Sequence, residues 1–214
     1  MFQFLPVIYK SRNGKEIVND FYCDKDKNNS LVVLFPGVNY SFEKPLLYYA
    51  RKAASMEKMD VLCVRYGYKL SKDDIGKDII KIIADEILPV IRNCSHKRYN
   101  KLYFISKSIG GEIAGNIAKN IGYENVQSLY LTPTPHTVEH MIEVETYTII
   151  GTRDPIFGEK NIRSLQHHKN IKLKLINNAQ HSLEVDDNIQ ESIKILGEVT
   201  TIYKKFLNED KQNS

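Results

Sequence analysis

Residues Leu102-Tyr103-Phe104-Ile105-Ser106-Lys107-Ser108-Ile109-Gly110-Gly111 constrain the chain more than any other stretch. An apolar run of strand length meets a cluster of small residues, and a helical pattern follows. A turn that sharp lifts the side chain at its apex clear of a sheet and sets it over a helix N-terminus. The apex here is Ser108, which this geometry suits to act as a nucleophile on a carbonyl. Close approach of the turn to its neighbours demands small residues two before and two after the apex, and these are Ser106 and Gly110. Gly111, Ala114, Gly115 and Ala118 then recur at helical spacing, a smooth stripe that lets the helix pack tightly on the sheet.

The stretch resembles the G-x-S-x-G elbow of the α/β-hydrolase family, with Ser106 in place of the first glycine. Two other readings stay open. Ser106, Ser108 and Gly111 could be a degraded G-x-G-x-x-G dinucleotide fingerprint with Glu124 as its distant acid, although a serine side chain at the second position would obstruct a pyrophosphate. A plain strand-to-helix turn without chemistry is the other.

The remaining chain alternates in the same way. Phe2–Tyr9 and Glu16–Tyr22 read as strands joined at Arg12-Asn13-Gly14, where Asn-Gly is a hairpin signal, and Asp24–Ser30 reads as a charged loop. Leu31–Phe35 and Val61–Val64 are continuous apolar runs, as in strands buried on both faces. Helices are expected from about Lys44 to Lys58, from Asp74 to Asn93, from Ile162 to Lys169 and from Asn188 to Leu207. Strands are expected at Val126–Leu131, Thr146–Ile150 and Ile171–Ile176. This order predicts an α/β fold: a mostly parallel central sheet flanked by helices on both faces, with antiparallel edge strands from the N-terminus. The length of 214 residues suits one α/β-hydrolase domain over 1–207, followed by a polar tail over 208–214. Only Thr137–Glu145 separates two successive strands where the family often inserts a helical cap, so the resemblance implies a capless member with an open site.

The resemblance extends to three loops at strand ends. Pro36-Gly37 looks like the family's oxyanion loop, which makes the backbone N–H groups of Val38 and Ile109 the candidate donors to a carbonyl oxyanion. Gly151-Thr152-Arg153-Asp154 looks like the acid loop, and His181, in the loop after Ile171–Ile176, completes the order Ser108, Asp154, His181. Aspartate before Pro155 also suits an ordinary turn, and Pro-Gly is common in loops. Of the other histidines, His136 also follows a strand and is the one substitute as base; His96 follows a helix, and His167 and His168 lie within one. Asn39, Tyr40, Ser41 and Pro133 are expected to line the substrate pocket, with Thr132–His136 on its rim.

Composition closes off other classes. Hydrophobic residues at 42% and charged residues at 26% match neither a disordered nor a membrane chain. A net charge of +4, from 30 basic and 26 acidic residues scattered along the chain, argues against a nucleic-acid partner. Cys23, Cys63 and Cys94 make neither a disulfide framework nor a zinc site, and no metal or cofactor is implied. Without a secretory pattern in Met1–Tyr9 or an apolar span, the cytoplasm is the expected location. The sequence leaves the oligomeric state open. The expected activity is that of a serine hydrolase cleaving a small carboxylic ester or thioester through a Ser-His-Asp triad and an acyl-enzyme. The alternatives are an acyltransferase or thioesterase acting on a carrier-bound acyl group, with Lys172 and Lys174 facing an acidic carrier, and a noncatalytic binding protein of the same fold.

Overall fold

A computed structural model of the protein describes residues 2–24, 29–94 and 99–212. Most of the expected charged loop, and His96, lie outside those residues. Strands β1 (Phe2–Lys10), β2 (Glu16–Asp24), β3 (Ser30–Phe35), β4 (Asp60–Cys63), β5 (Lys101–Lys107), β6 (Val126–Leu131), β7 (Thr146–Gly151) and β8 (Ile171–Ile176) form one sheet in the order β1-β2-β4-β3-β5-β6-β7-β8. Both ladders of β2 are antiparallel and every later pairing is parallel, so β1 runs with the rest and β2 alone is reversed among the described strands. The hairpin turns at Gly14, whose φ of +85° a residue with a Cβ rarely adopts.

Period-two alternation decides what each strand contributes to which face. In β3, Val32 and Leu34 pack with α1 (Pro45–Met56) and α6 (Ile189–Gln212), whereas Leu31, Val33 and Phe35 pack with α2 (Asp78–Cys94) and α3 (Gly110–Ile121). Two apolar layers therefore sandwich the sheet, as a continuous apolar run requires. A smaller cluster of Tyr130, Ile150, Phe157, Ile162 and Leu165 seats α5 (Gly158–Leu165). Between β6 and β7 the chain makes only a short 3₁₀ turn, Pro135–Thr137, and the four-residue α4 (Val138–Met141); no cap covers the strand ends among the described residues.

Several boundaries differ from expectation; α5 ends at Leu165 rather than Lys169, so His167 and His168 lie beyond the helix expected to hold them. A capping box between Ser71 and Asp74 closes a separate 3₁₀ turn, which delays α2 to Asp78. Helix α5 begins at Gly158, four residues before the expected Ile162, because the Asp154 carboxylate accepts the N–H groups of Ile156 and Phe157 and so winds the turn ahead of it. Helix α6 runs on to Gln212 instead of ending at Leu207: Glu209 Oε1 accepts from the Tyr147 hydroxyl at 2.6 Å and from Lys172 Nζ at 2.5 Å. Among the described residues no helix is long and apolar enough to cross a membrane.

The close approach that the small residues anticipate occurs at Gly110. A Cβ there would lie 2.5 Å from the Pro36 carbonyl oxygen and 2.6 Å from that of Phe35, both backbone atoms that cannot rotate aside. Gly110→Ala should therefore lower stability by about 3 kcal/mol, the upper range for an overpacked site, read as a fall in the urea midpoint at unchanged slope.

Candidate active site

Strand β5 ends at Lys107, α3 begins at Gly110, and Ser108 stands between them at φ +55°. A left-handed serine costs about 1–3 kcal/mol and persists only where its surroundings hold it. Here its N–H donates to the Leu131 carbonyl at 3.0 Å, and its own carbonyl accepts the Gly111 N–H at 2.8 Å. The turn leaves the Ser108 side chain at the C-terminal edge of the sheet, where the loops after β3, β7 and β8 also arrive.

From the loop after β8, His181 places Nε2 at 2.8 Å from Ser108 Oγ, and its Nδ1 lies 2.8 Å from Asp154 Oδ2 in the loop after β7. A carboxylate only accepts, so the imidazole proton sits on Nδ1 and donates to Asp154; Nε2 is left free to accept the serine hydroxyl. Asp154 Oδ1 accepts the backbone N–H groups of Ile156 at 2.8 Å and Phe157 at 3.2 Å, which fixes the carboxylate. Burial alone would push the Asp154 pKa up, but the hydrogen bond and charge of His181, with the two N–H groups, bring it below the usual range. His181 is also lowered: burial and the Lys107 charge outweigh the stabilising hydrogen bond to Asp154, with Lys72 adding a smaller push in the same direction. The imidazole is therefore neutral at pH 7, the form that can take a proton.

The Pro36-Gly37 loop lies directly against the turn at Ser108. A Cβ on Gly37 would come within 3.1 Å of the Lys107 carbonyl oxygen and 3.2 Å of Ser108 Cβ. Among the described residues, the N–H groups of Val38 and Ile109 donate to no protein acceptor. Two backbone donors beside the Ser108 hydroxyl are thus available to a negative oxygen.

Asn39, Tyr40 and Ser41 line a cleft of about 460 Å³ together with Arg65 and Tyr66, and Tyr40 also walls a second groove described below. Pro133, expected in the pocket, is buried two residues past the end of β6 and lines neither cleft. His136 lies against Gly76, where a Cβ would meet its Nε2 at 2.6 Å, and borders a small polar cleft with Glu112 and His140. The histidine hydrogen-bonded to the serine is His181. Lys172 and Lys174, considered as a carrier-facing pair, are engaged internally: Lys172 with Glu145 at 2.7 Å and Glu209 at 2.5 Å, Lys174 with Glu198 at 3.3 Å.

Sequence reasoning gives Lys107 no role. It is 2% exposed, and its ammonium lies 5.2 Å from the centre of the Tyr40 ring, with no ion-pair partner among the described residues. Burial lowers its pKa to about 7, while Asp154 and Glu184 partly restore it. The available signal was its position: the last residue of a strand buried on both faces has its side chain indoors.

A pH profile follows from these groups. Because the His181 pKa lies below its usual value of about 6.5, the acid limb of kcat/KM should fall below that pH, with full activity above it. Lys107 carries its charge throughout that limb and disfavours the imidazolium. Lys107→Met, which keeps the unbranched stem, should accordingly move the limb to higher pH; an unmoved limb would show that the ammonium does not act on His181.

No protein-family model matches the sequence, and no curated protein matches it either. Solved structures do match in shape. A dienelactone hydrolase from Anabaena variabilis superposes with a TM-score of 0.72 at 17% identity, covering 97% of this chain and 98% of that one. An esterase from Pyrococcus furiosus gives a TM-score of 0.72 at 12% identity, covering 97% of this chain and 93% of that one. A lidless α/β serine hydrolase from Xanthomonas campestris gives 0.69 at 11% identity, covering 97% and 94%.

The chain has the α/β-hydrolase fold. Within that fold Ser106 takes the place of the elbow's first glycine, buried in β5 between Phe35 and Tyr130 in register.

Proposed function

We propose that the protein is a serine hydrolase acting on carboxylic esters or thioesters through Ser108, His181 and Asp154. The observation that carries this reading is the pair of 2.8 Å contacts joining Ser108 Oγ to His181 and His181 to Asp154. Hydrolase and esterase names among proteins of the same fold lend support.

In this reaction His181 Nε2 takes the Ser108 hydroxyl proton as Oγ bonds to the carbonyl carbon, and Asp154 stabilises the imidazolium that forms. The carbonyl π pair moves onto oxygen, where the N–H groups of Val38 and Ile109 hold it. On collapse the bond to the leaving oxygen or sulfur breaks, and the leaving group takes the proton from Nε2. Water then attacks the acyl-enzyme by the same route, with His181 again as base, and releases the acid and free Ser108. No step requires a cofactor. The short β6–β7 connection suits a small ester, or one presented from solvent. Cys63, its thiol pushed up to about 12 by burial, is an inert packing group.

A fluorophosphonate probe tests the reading directly. Stoichiometric labelling of the native protein at Ser108, abolished by prior heat denaturation, is the expected result. An unlabelled native protein would favour a noncatalytic binding role instead.

A further inference from the structure

A groove of about 320 Å³ lies between the segment that follows His181, the stretch from Tyr40 to Leu46 and the start of α6. Tyr40, Leu46, Leu183, Val185, Ile193 and Leu196 give it one apolar wall, and Ser182, Glu184, Asp186, Asp187, Asn188 and Ser192 are the polar part of the lining. Its lining includes Ser182, the residue that follows His181 in the chain, and Tyr40, two residues past Val38. The groove is also held open in advance of any ligand. The Tyr40 hydroxyl accepts the Leu46 N–H at 3.1 Å, the Leu183 N–H donates to the Gln180 carbonyl at 2.9 Å, and the Val185 N–H donates to Ser192 Oγ at 2.9 Å. At its mouth Ile189 is 76% exposed and Ile193 58% exposed, on a helix whose buried side already includes Ile195, Val199, Tyr203 and Phe206. Those two side chains add nothing to the core.

We propose that this groove is the subsite for an alkyl chain of the substrate, which makes the substrate class neutral esters or thioesters carrying an unbranched apolar chain. The inference rests on the hydrolase reading above, which supplies the reacting carbonyl. Three features select this occupant. The apolar wall offers a chain dispersion contact and removal from water. The volume of about 320 Å³ admits a chain of several carbons. Glu184, Asp186 and Asp187 border the same groove, and carboxylates there repel an anionic chain end or a phosphorylated one. A chain can reach the groove from the acyl side of the ester or from the alcohol side.

Two substrate series separate those sources. For p-nitrophenyl alkanoates from acetate to decanoate, or for alkyl acetates of the same lengths, kcat/KM should rise about threefold per added methylene until the groove is full. The series that rises identifies the side. Ile193→Asp, at an exposed position, should cut the ratio of kcat/KM for the ten-carbon to the two-carbon member at least tenfold. Independently of catalysis, 1-octanol titrated into methyl-labelled protein should shift the Leu183, Ile193 and Leu196 methyl signals saturably. Octanol shifts without any esterase activity would keep the groove and overturn the hydrolase reading. Activity with flat profiles in both series overturns the subsite, whether or not octanol binds.

Discussion

Ser108→Ala should lower kcat for a p-nitrophenyl ester by about 10⁴- to 10⁶-fold, the loss seen when a residue of a triad that acts as a unit is removed. Without Oγ no acyl-enzyme forms, and what activity survives must come from the Val38 and Ile109 donors and from His181 acting on water. The fold should survive, because alanine accepts the φ of +55° at the same cost as serine and the backbone bonds to Leu131 and Gly111 do not involve the side chain. Ser108→Gly removes the left-handed strain as well as the nucleophile, and should unfold at a higher urea concentration than wild type. An inactive, stabilised glycine variant beside an inactive, unstabilised alanine variant would show that the strain is kept for the position of Oγ. Retained turnover in Ser108→Ala would remove Ser108 from the mechanism.

Asp154→Asn should cost nearly as much, about 10³- to 10⁴-fold in kcat, although it exchanges one carboxylate oxygen for an amide nitrogen. The asparagine can still present its carbonyl oxygen to the N–H groups of Ile156 and Phe157, so the start of α5 should be preserved. Its amide nitrogen then faces His181 Nδ1, where two donors cannot meet. The imidazole must move its proton to Nε2, which turns the atom facing Ser108 from acceptor into donor. The measurement is kcat together with His181 imidazole nitrogen shifts, which report the tautomer. A large loss of kcat without the tautomer change would mean that Asp154 acts by its charge alone.

Much of this was visible in the order of residues. The alternation of apolar runs with helical stripes predicts the layered sheet, because a strand buried on both faces leaves no other way to read Leu31–Phe35. The crowding at Gly110 was visible too, since a strand that turns at once into a helix has to bring backbone against backbone. Helix ends were less legible: α5 starts early because Asp154, chosen for its place after a strand, also caps the turn that follows it.

What the sequence determined by itself is local: which segments are strands or helices, where the sharp turn falls, and that Ser108, Asp154 and His181 each sit in a loop at a strand's end. Those properties depend on residues a few positions apart, and short-range sterics and burial patterns encode them. Only the tertiary structure decided that His181 rather than His136 meets Ser108, that the Lys107 ammonium lies against the Tyr40 ring, and that Leu46, Leu183 and Ile193 wall a single groove. Ser108 and His181 are 73 residues apart, and a distance of 2.8 Å between them follows from strand order, crossover direction and packing of the whole sheet. No window of sequence contains those.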